Sequence, residues 1–129
     1  MKFAHTILYV PDVASAVEFY EKAFGFERGF VHESGEYGEL KTGETTLSFA
    51  SLTLAPFNIE GGVTPSNPAH PPPAFEVAFS TDDVAAAFAR ATAAGAIAAS
   101  PPKQKPWGQT VACVRDLNGN LVELCTPIG

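Results

Sequence analysis

His5-Thr-Ile-Leu-Tyr-Val-Pro-Asp-Val-Ala-Ser-Ala-Val17 returns later in the chain as Glu76-Val-Ala-Phe-Ser-Thr-Asp-Asp-Val-Ala-Ala-Ala-Phe88. Asp12-Val13-Ala14 falls on Asp83-Val84-Ala85 without a gap, and Ala16 falls on Ala87. A second register joins Thr46-Leu-Ser-Phe49 to Leu121-Val-Glu-Leu124, so the ends of the two halves correspond as well as their starts. Two copies at this long period do not make a solenoid. They make a duplicated supersecondary module, and two such modules can bury faces against each other around a ligand cleft.

Each copy reads as strand, helix, strand, strand, strand. Residues 3–10 are β-branched and aromatic and stop at Pro11. Asp12 is a good N-cap, the apolar set Val13, Ala16, Val17, Tyr20, Ala23 and Phe24 follows helical spacing, and Gly25 closes the helix in a left-handed conformation. In the second copy Asp83 caps, Val84, Ala87, Phe88, Ala91 and Ala94 form the stripe, and Gly95 stops it. Extended segments are expected near 26–32, 35–41 and 45–52, and again near 96–100, 109–115 and 121–126, with turns at Gly43 and Asn118-Gly119.

The expected fold class is therefore α+β: two paired βαβββ modules around a cleft. The whole of 1–129 is taken as one domain, with modules at 1–55 and 73–129 and a linker at 56–72. The stretch from Ala55 to Pro73 is rich in proline and carries adjacent glycines. Two readings of it stand, a plain spacer and a loop bordering the cleft. Alternation puts Leu47 and Phe49 toward the helix and leaves Thr46, Ser48 and Ala50 on the other side. Phe75, Val77 and Phe79 likewise pack inward, leaving Glu76, Ala78 and Ser80. A face of small residues suits a pocket wall better than a solvated sheet surface.

Composition narrows the partners. The chain has 129 residues, 46% of them hydrophobic, and a formal charge of −6. Its eight Lys and Arg are scattered, which argues against a nucleic-acid surface or an anionic membrane. No apolar run reaches membrane-spanning length, and no secretory h-region follows Met1, so a cytoplasmic location is the default expectation. The two cysteines, Cys113 and Cys125, are too few for a disulfide framework. A two- or four-residue hairpin loop would turn them to opposite faces, as two small buried apolar residues.

His5 and Glu76 are equivalent on the first strands of the copies, and Ser48 and Glu123 on the last. With pseudo-two-fold packing the four converge. His5, Glu76 and Glu123 can ligate a divalent ion through imidazole and carboxylate. Against this stands pairing of the glutamates with Arg28, Arg90 or Arg115, or plain exposure. Trp107 and Gln109 precede a strand bordering the cleft; they can stack on and hydrogen-bond a planar ligand, or Trp107 can plug the mouth. His32 and Tyr37 lie in the corresponding region of the first copy, and Tyr37 joins the substrate-binding candidates.

The chain resembles the vicinal oxygen chelate superfamily, the group of glyoxalase I, bleomycin resistance proteins and extradiol dioxygenases. The residues that carry the resemblance are His5…Val10-Pro-Asp-Val, Glu18-Phe-Tyr-Glu-Lys-Ala-Phe-Gly25, Asp82-Asp-Val, Gly95-Ala96, and Trp107-Gly-Gln109…Val114-Arg-Asp…Gly119-Asn-Leu-Val-Glu-Leu124. It implies paired βαβββ modules forming an incomplete barrel around a cleft, and metal ligands at the positions of His5, Ser48, Glu76 and Glu123. Ser48 departs from the four-ligand glyoxalase pattern, and Glu76 departs from the two-His pattern of dioxygenase-like members. What remains is a metal set of His5, Glu76 and Glu123, with Glu123 as the proton-transfer group and Ser48, Tyr37, Trp107 and Gln109 as substrate contacts. The expected cofactor is a divalent ion, with no nucleotide. The expected activity is lyase or isomerase chemistry on a small oxygen-bearing substrate. The alternatives are a metal-free bleomycin-resistance-like binder of an aromatic drug or metabolite, and a group transferase acting on a small antibiotic. A homodimer is expected, because pairing would cover sheet edges.

Overall fold

A computed structural model describes residues 1–128 and divides into two compact units, residues 1–65 and 66–129. In the first, β1 (His5–Val10) leads into α1 (Val13–Phe24), then β2 (Glu27–Val31), β3 (Tyr37–Lys41) and β4 (Thr46–Ser51). The sheet order is β1-β4-β3-β2, with β4 returning parallel to β1 and the other pairs antiparallel. The helix starts where Asp12, in extended conformation, accepts the Ser15 N–H at 3.0 Å, and ends where Gly25 turns left-handed at φ 77°. Its buried face is Val13, Ala16, Val17, Tyr20 and Ala23. That face lies on Phe49, whose ring is 5.0 Å from Tyr20. It also lies on Gly38, where an added Cβ would meet Val13 and Val17 at 3.1 and 3.2 Å.

The second unit repeats this. It runs β5 (Glu76–Ser80), α3 (Val84–Ala93), β6 (Ile97–Gln104), β7 (Thr110–Arg115) and β8 (Leu121–Cys125), in the order β5-β8-β7-β6. Asp83 accepts the Ala86 N–H at 3.0 Å, as Asp12 does for its own helix. The sequence register holds in three dimensions, since Ile7 pairs with Ser48 and Ala78 pairs with Glu123. The fold is thus two α+β units of one topology, each a four-stranded mixed sheet covered by a helix, and neither sheet closes into a barrel.

Three features depart from expectation. The start of the linker forms a single turn, α2 (Ala55–Asn58), favoured by a proline in its first turn. The strand expected at 96–100 runs on through Pro101 and Pro102 to Gln104. Prolines are tolerated because β6 is an edge strand whose pairing shifts register between Ser100 and Lys103. The cysteines also do not face opposite ways. The loop 116–120 is odd in length, so Cys113 pairs with Glu123 and Val111 with Cys125, placing both cysteines on one face. Both are half-buried free thiols, not core residues.

The second half of the linker is tied down. Arg115 donates to the carbonyls of Asn67, Pro68 and Gly119 at 3.1, 3.1 and 2.9 Å, and Ser66 donates to Asn120 at 2.6 Å. Buried Asp116 holds the hairpin beneath by accepting the N–H groups of Asn118 and Asn120, each at 2.9 Å. Arg115 is therefore spent on this turn. Among the described residues no helix is long and apolar enough to cross a membrane.

Candidate functional site

The face of the second sheet turned away from α3 carries the chemistry. Alternation sends Val122, Leu124, Ala112 and Val114 to the helix side, all buried. The opposite face receives Glu76 and Ala78 from β5, Glu123 and Cys125 from β8, and Val111 and Cys113 from β7. Ligand atoms of Glu76, Cys113 and Glu123 all lie within 4.8 Å of one another. The Cys113 Sγ stands 4.0 Å from Glu76 Oε2.

The electrostatics show the strain of this grouping. Partial burial, then the Glu123 charge beside it, holds the Glu76 carboxyl above its ordinary value. The Cys113 thiol is also pushed up, first by burial and then by Glu76 and Glu123, with Lys105 acting the other way. Burial and Glu123 raise the Cys125 thiol similarly. Among the described residues no Lys, Arg or His forms an ion pair with either carboxylate. The pairing with Arg28 or Arg115 that the sequence allows does not form: Arg28 binds Glu21 at 2.8 Å and Arg115 binds carbonyls.

This donor set fits a divalent cation. Donors on a tetrahedral ion at 2.0–2.3 Å stand about 3.3–3.8 Å apart, so the three side chains, with Glu76 exposed, must draw in by about 1 Å to close on it. Two carboxylate oxygens with a thiol sulfur favour a borderline ion such as zinc over a purely hard one. Cys113 was missed in the sequence because the parity of its hairpin was misjudged.

Beside the cluster lies an open cavity of about 720 Å³, lined by Ser100, Lys103, Trp107, Gln109, Cys113 and Glu123 among others. Trp107 does not plug anything: it is 68% exposed, yet fixed in place. Its indole N–H donates to Gln109 Oε1 at 2.8 Å, and Gln109 Nε2 donates to the Thr126 carbonyl at 2.7 Å.

The candidates of the first unit sit differently. Ser48 is fully buried, and Ala50 is 2% exposed, so at these positions the small-residue face is not an open pocket wall. The Tyr37 hydroxyl lies 2.9 Å from Ser48 Oγ and 2.7 Å from Glu39 Oε2. Burial raises its pKa, an effect that Ser48 opposes and Glu39 reinforces. His32 is taken up by a turn, its Nδ1 accepting the Ser34 N–H at 3.1 Å. His5 opens β1 with its side chain exposed.

The sequence profile of the Glyoxalase/Bleomycin resistance protein/Dioxygenase superfamily matches residues 2–124. The chain belongs to that superfamily. Solved structures agree on the fold. A glyoxalase-related enzyme from Fulvimarina pelagi is similar with a TM-score of 0.84 at 21% identity, covering 98% of this chain and 88% of that one. TioX from Micromonospora sp. ML1 is similar at 0.72 and 26% identity, covering 98% of both chains. A glyoxalase/bleomycin resistance protein/dioxygenase family enzyme from Burkholderia phytofirmans PsJN gives 0.73 and 21%, again over 98% of both. The search of curated proteins gives no match.

Proposed function

We propose that this superfamily member is a glyoxalase-like, metal-dependent enzyme acting on a small oxygen-bearing substrate by lyase or isomerase-type chemistry. The observation that carries this reading is the convergence of Glu76, Glu123 and Cys113 beside an open cavity, with neither carboxylate in an ion pair among the described residues. Two ionised carboxylates kept together without a cation cost free energy that a bound ion would recover. Such an ion, when bound, polarises substrate oxygens as a Lewis acid. Glu76 and Glu123 would hold it with Cys113, and His5 is carried over from the family resemblance as a further donor. Glu123 also lines the cavity, which suits a carboxylate that takes and returns a substrate proton. Trp107 and Gln109 orient the substrate body.

A metal-free binding protein is the second reading, favoured by the exposed yet immobilised Trp107. Metal content after purification without an affinity tag separates the two. Stoichiometric zinc or a similar ion, reduced at least about tenfold in Glu123→Ala, supports the enzyme. Its absence, with no affinity for added zinc, leaves the binder. We also propose a homodimer, since Phe3 and Phe57 are 72% and 86% exposed. Light scattering giving a mass near 13.6 kDa would end that part of the proposal.

A further inference from the structure

The acidic cluster occupies one end of the second sheet's open face, and the other end is basic. Lys103 pairs directly with Val111, so its side chain shares the face of Val111, Cys113 and Glu123. Lys105 follows on the same side, its N–H donating to the Gln109 carbonyl at 2.7 Å as the chain enters the Lys105–Gly108 turn. Both lysines line the cavity that also holds Trp107, Gln109, Cys113 and Glu123.

In a chain with formal charge −6, two neighbouring lysines without acidic partners stand out. Lys22 is paired with Glu18, Arg28 with Glu21 and Lys41 with Glu27, while Arg115 is held by carbonyls. Among the described residues Lys103 and Lys105 make no such pair. Beside the lysines, Val111 and the ring of Trp107 supply an apolar surface to the same cavity. The indole N–H is already bound to Gln109, so what Trp107 still offers a ligand is its flat face.

We propose that this cavity takes a small organic anion with a flat apolar body, its anionic group on Lys103 and Lys105 and its body against Trp107. This rests on the functional reading above, for which it names the substrate class. The charge sorting is directional. An anionic group placed at the Glu76–Glu123 end would meet two carboxylates, so the lysines set where the anionic group of the ligand sits.

Trp107 is the only tryptophan, so its fluorescence reports on this cavity directly. The experiment titrates the full chain with benzoate, benzamide and benzylamine at low salt, for the native protein and for K103Q/K105Q, both positions being solvent-accessible. Benzoate is expected to bind about five- to tenfold more tightly than benzamide, with benzylamine weakest. In the double variant benzoate falls to the level of benzamide, whose own binding is unchanged. Added salt weakens benzoate in the native protein and leaves benzamide alone. Equal affinities in the native protein, a preference that survives the double variant, or no saturable response to any probe would each overturn the proposal. A parallel zinc titration judges the metal reading separately. Zinc binding without anion preference sinks only this inference, and anion preference without zinc binding sinks only the metal.

Discussion

Strands β4 and β8 hold equivalent places in the two units, yet the chemistry of the face turned away from the helix has been arranged in opposite senses. In the first unit Glu39 pairs across the ladder with Ser48, and Tyr37 reaches both. In the second, the same two places carry Cys113 and Glu123, the place of Tyr37 carries Val111, and Glu76 adds a second carboxylate. The first arrangement satisfies itself: one phenol bridges a carboxylate and a hydroxyl. The second sets two carboxylates against each other, with the thiols of Cys113 and Cys125 beside them and, among the described residues, no ion pair to either carboxylate. Duplication supplied the same frame twice, and the side chains paired one copy internally and placed like charges side by side in the other.

The cores differ in the same paired way. Tyr20 and Phe49 meet in the first unit where Ala91 and Leu124 stand in the second, all of them buried. Tyr20→Ala should therefore cost about 3–5 kcal/mol, the range for emptying a packed aromatic site. Ala91→Gly should cost about 1 kcal/mol, mainly through helix propensity. Urea unfolding of both variants checks this, and similar midpoints would mean that the aromatic core carries no special weight.

These particulars also show what the sequence could and could not reveal. Asp12 and Asp83, with the apolar stripes behind them, placed both helices, because a cap and a 3.6-residue period are local signals. The equivalence of Ser48 with Glu123 was legible because register survives duplication. Cys113 was not, because its facing depends on whether a hairpin loop is odd or even in length, and Asp116–Asn120 gave turn residues without fixing that count. Nor was Tyr37's bond to Ser48, which joins adjacent strands only once their register is set. Pro101 and Pro102 ended the expected strand too early, since only the sheet order shows that β6 is an edge.

Tyr37→Phe tests the self-satisfied side. It leaves the buried Ser48 hydroxyl without its partner, at a cost of about 1–2 kcal/mol. Adding Ser48→Ala removes the orphaned group and should recover much of that loss. A double variant as unstable as the sum of the singles would show that the two side chains do not act as a pair.

The smallest effect belongs to the strained side. The Glu76 carboxyl titrates above its ordinary value of 4.5 in the folded chain, so the folded state holds that proton more tightly than the unfolded one. Where the folded state binds more protons, stability falls as pH rises. With a chelator present, the penalty is absent in acid below the ordinary value. It grows as pH climbs from there through the folded-state value, and it stays constant above. Glu76→Gln removes the like charge beside Glu123 while keeping the shape of the side chain. It should stabilise the metal-free protein by a few tenths of a kcal/mol at neutral pH and by nothing in acid, a small gain because Glu76 is open to solvent. Thermal melts of both proteins across this pH range measure it. A variant that is less stable than the parent at neutral pH would show that the carboxylate pair is already satisfied, as its counterpart in the first unit is.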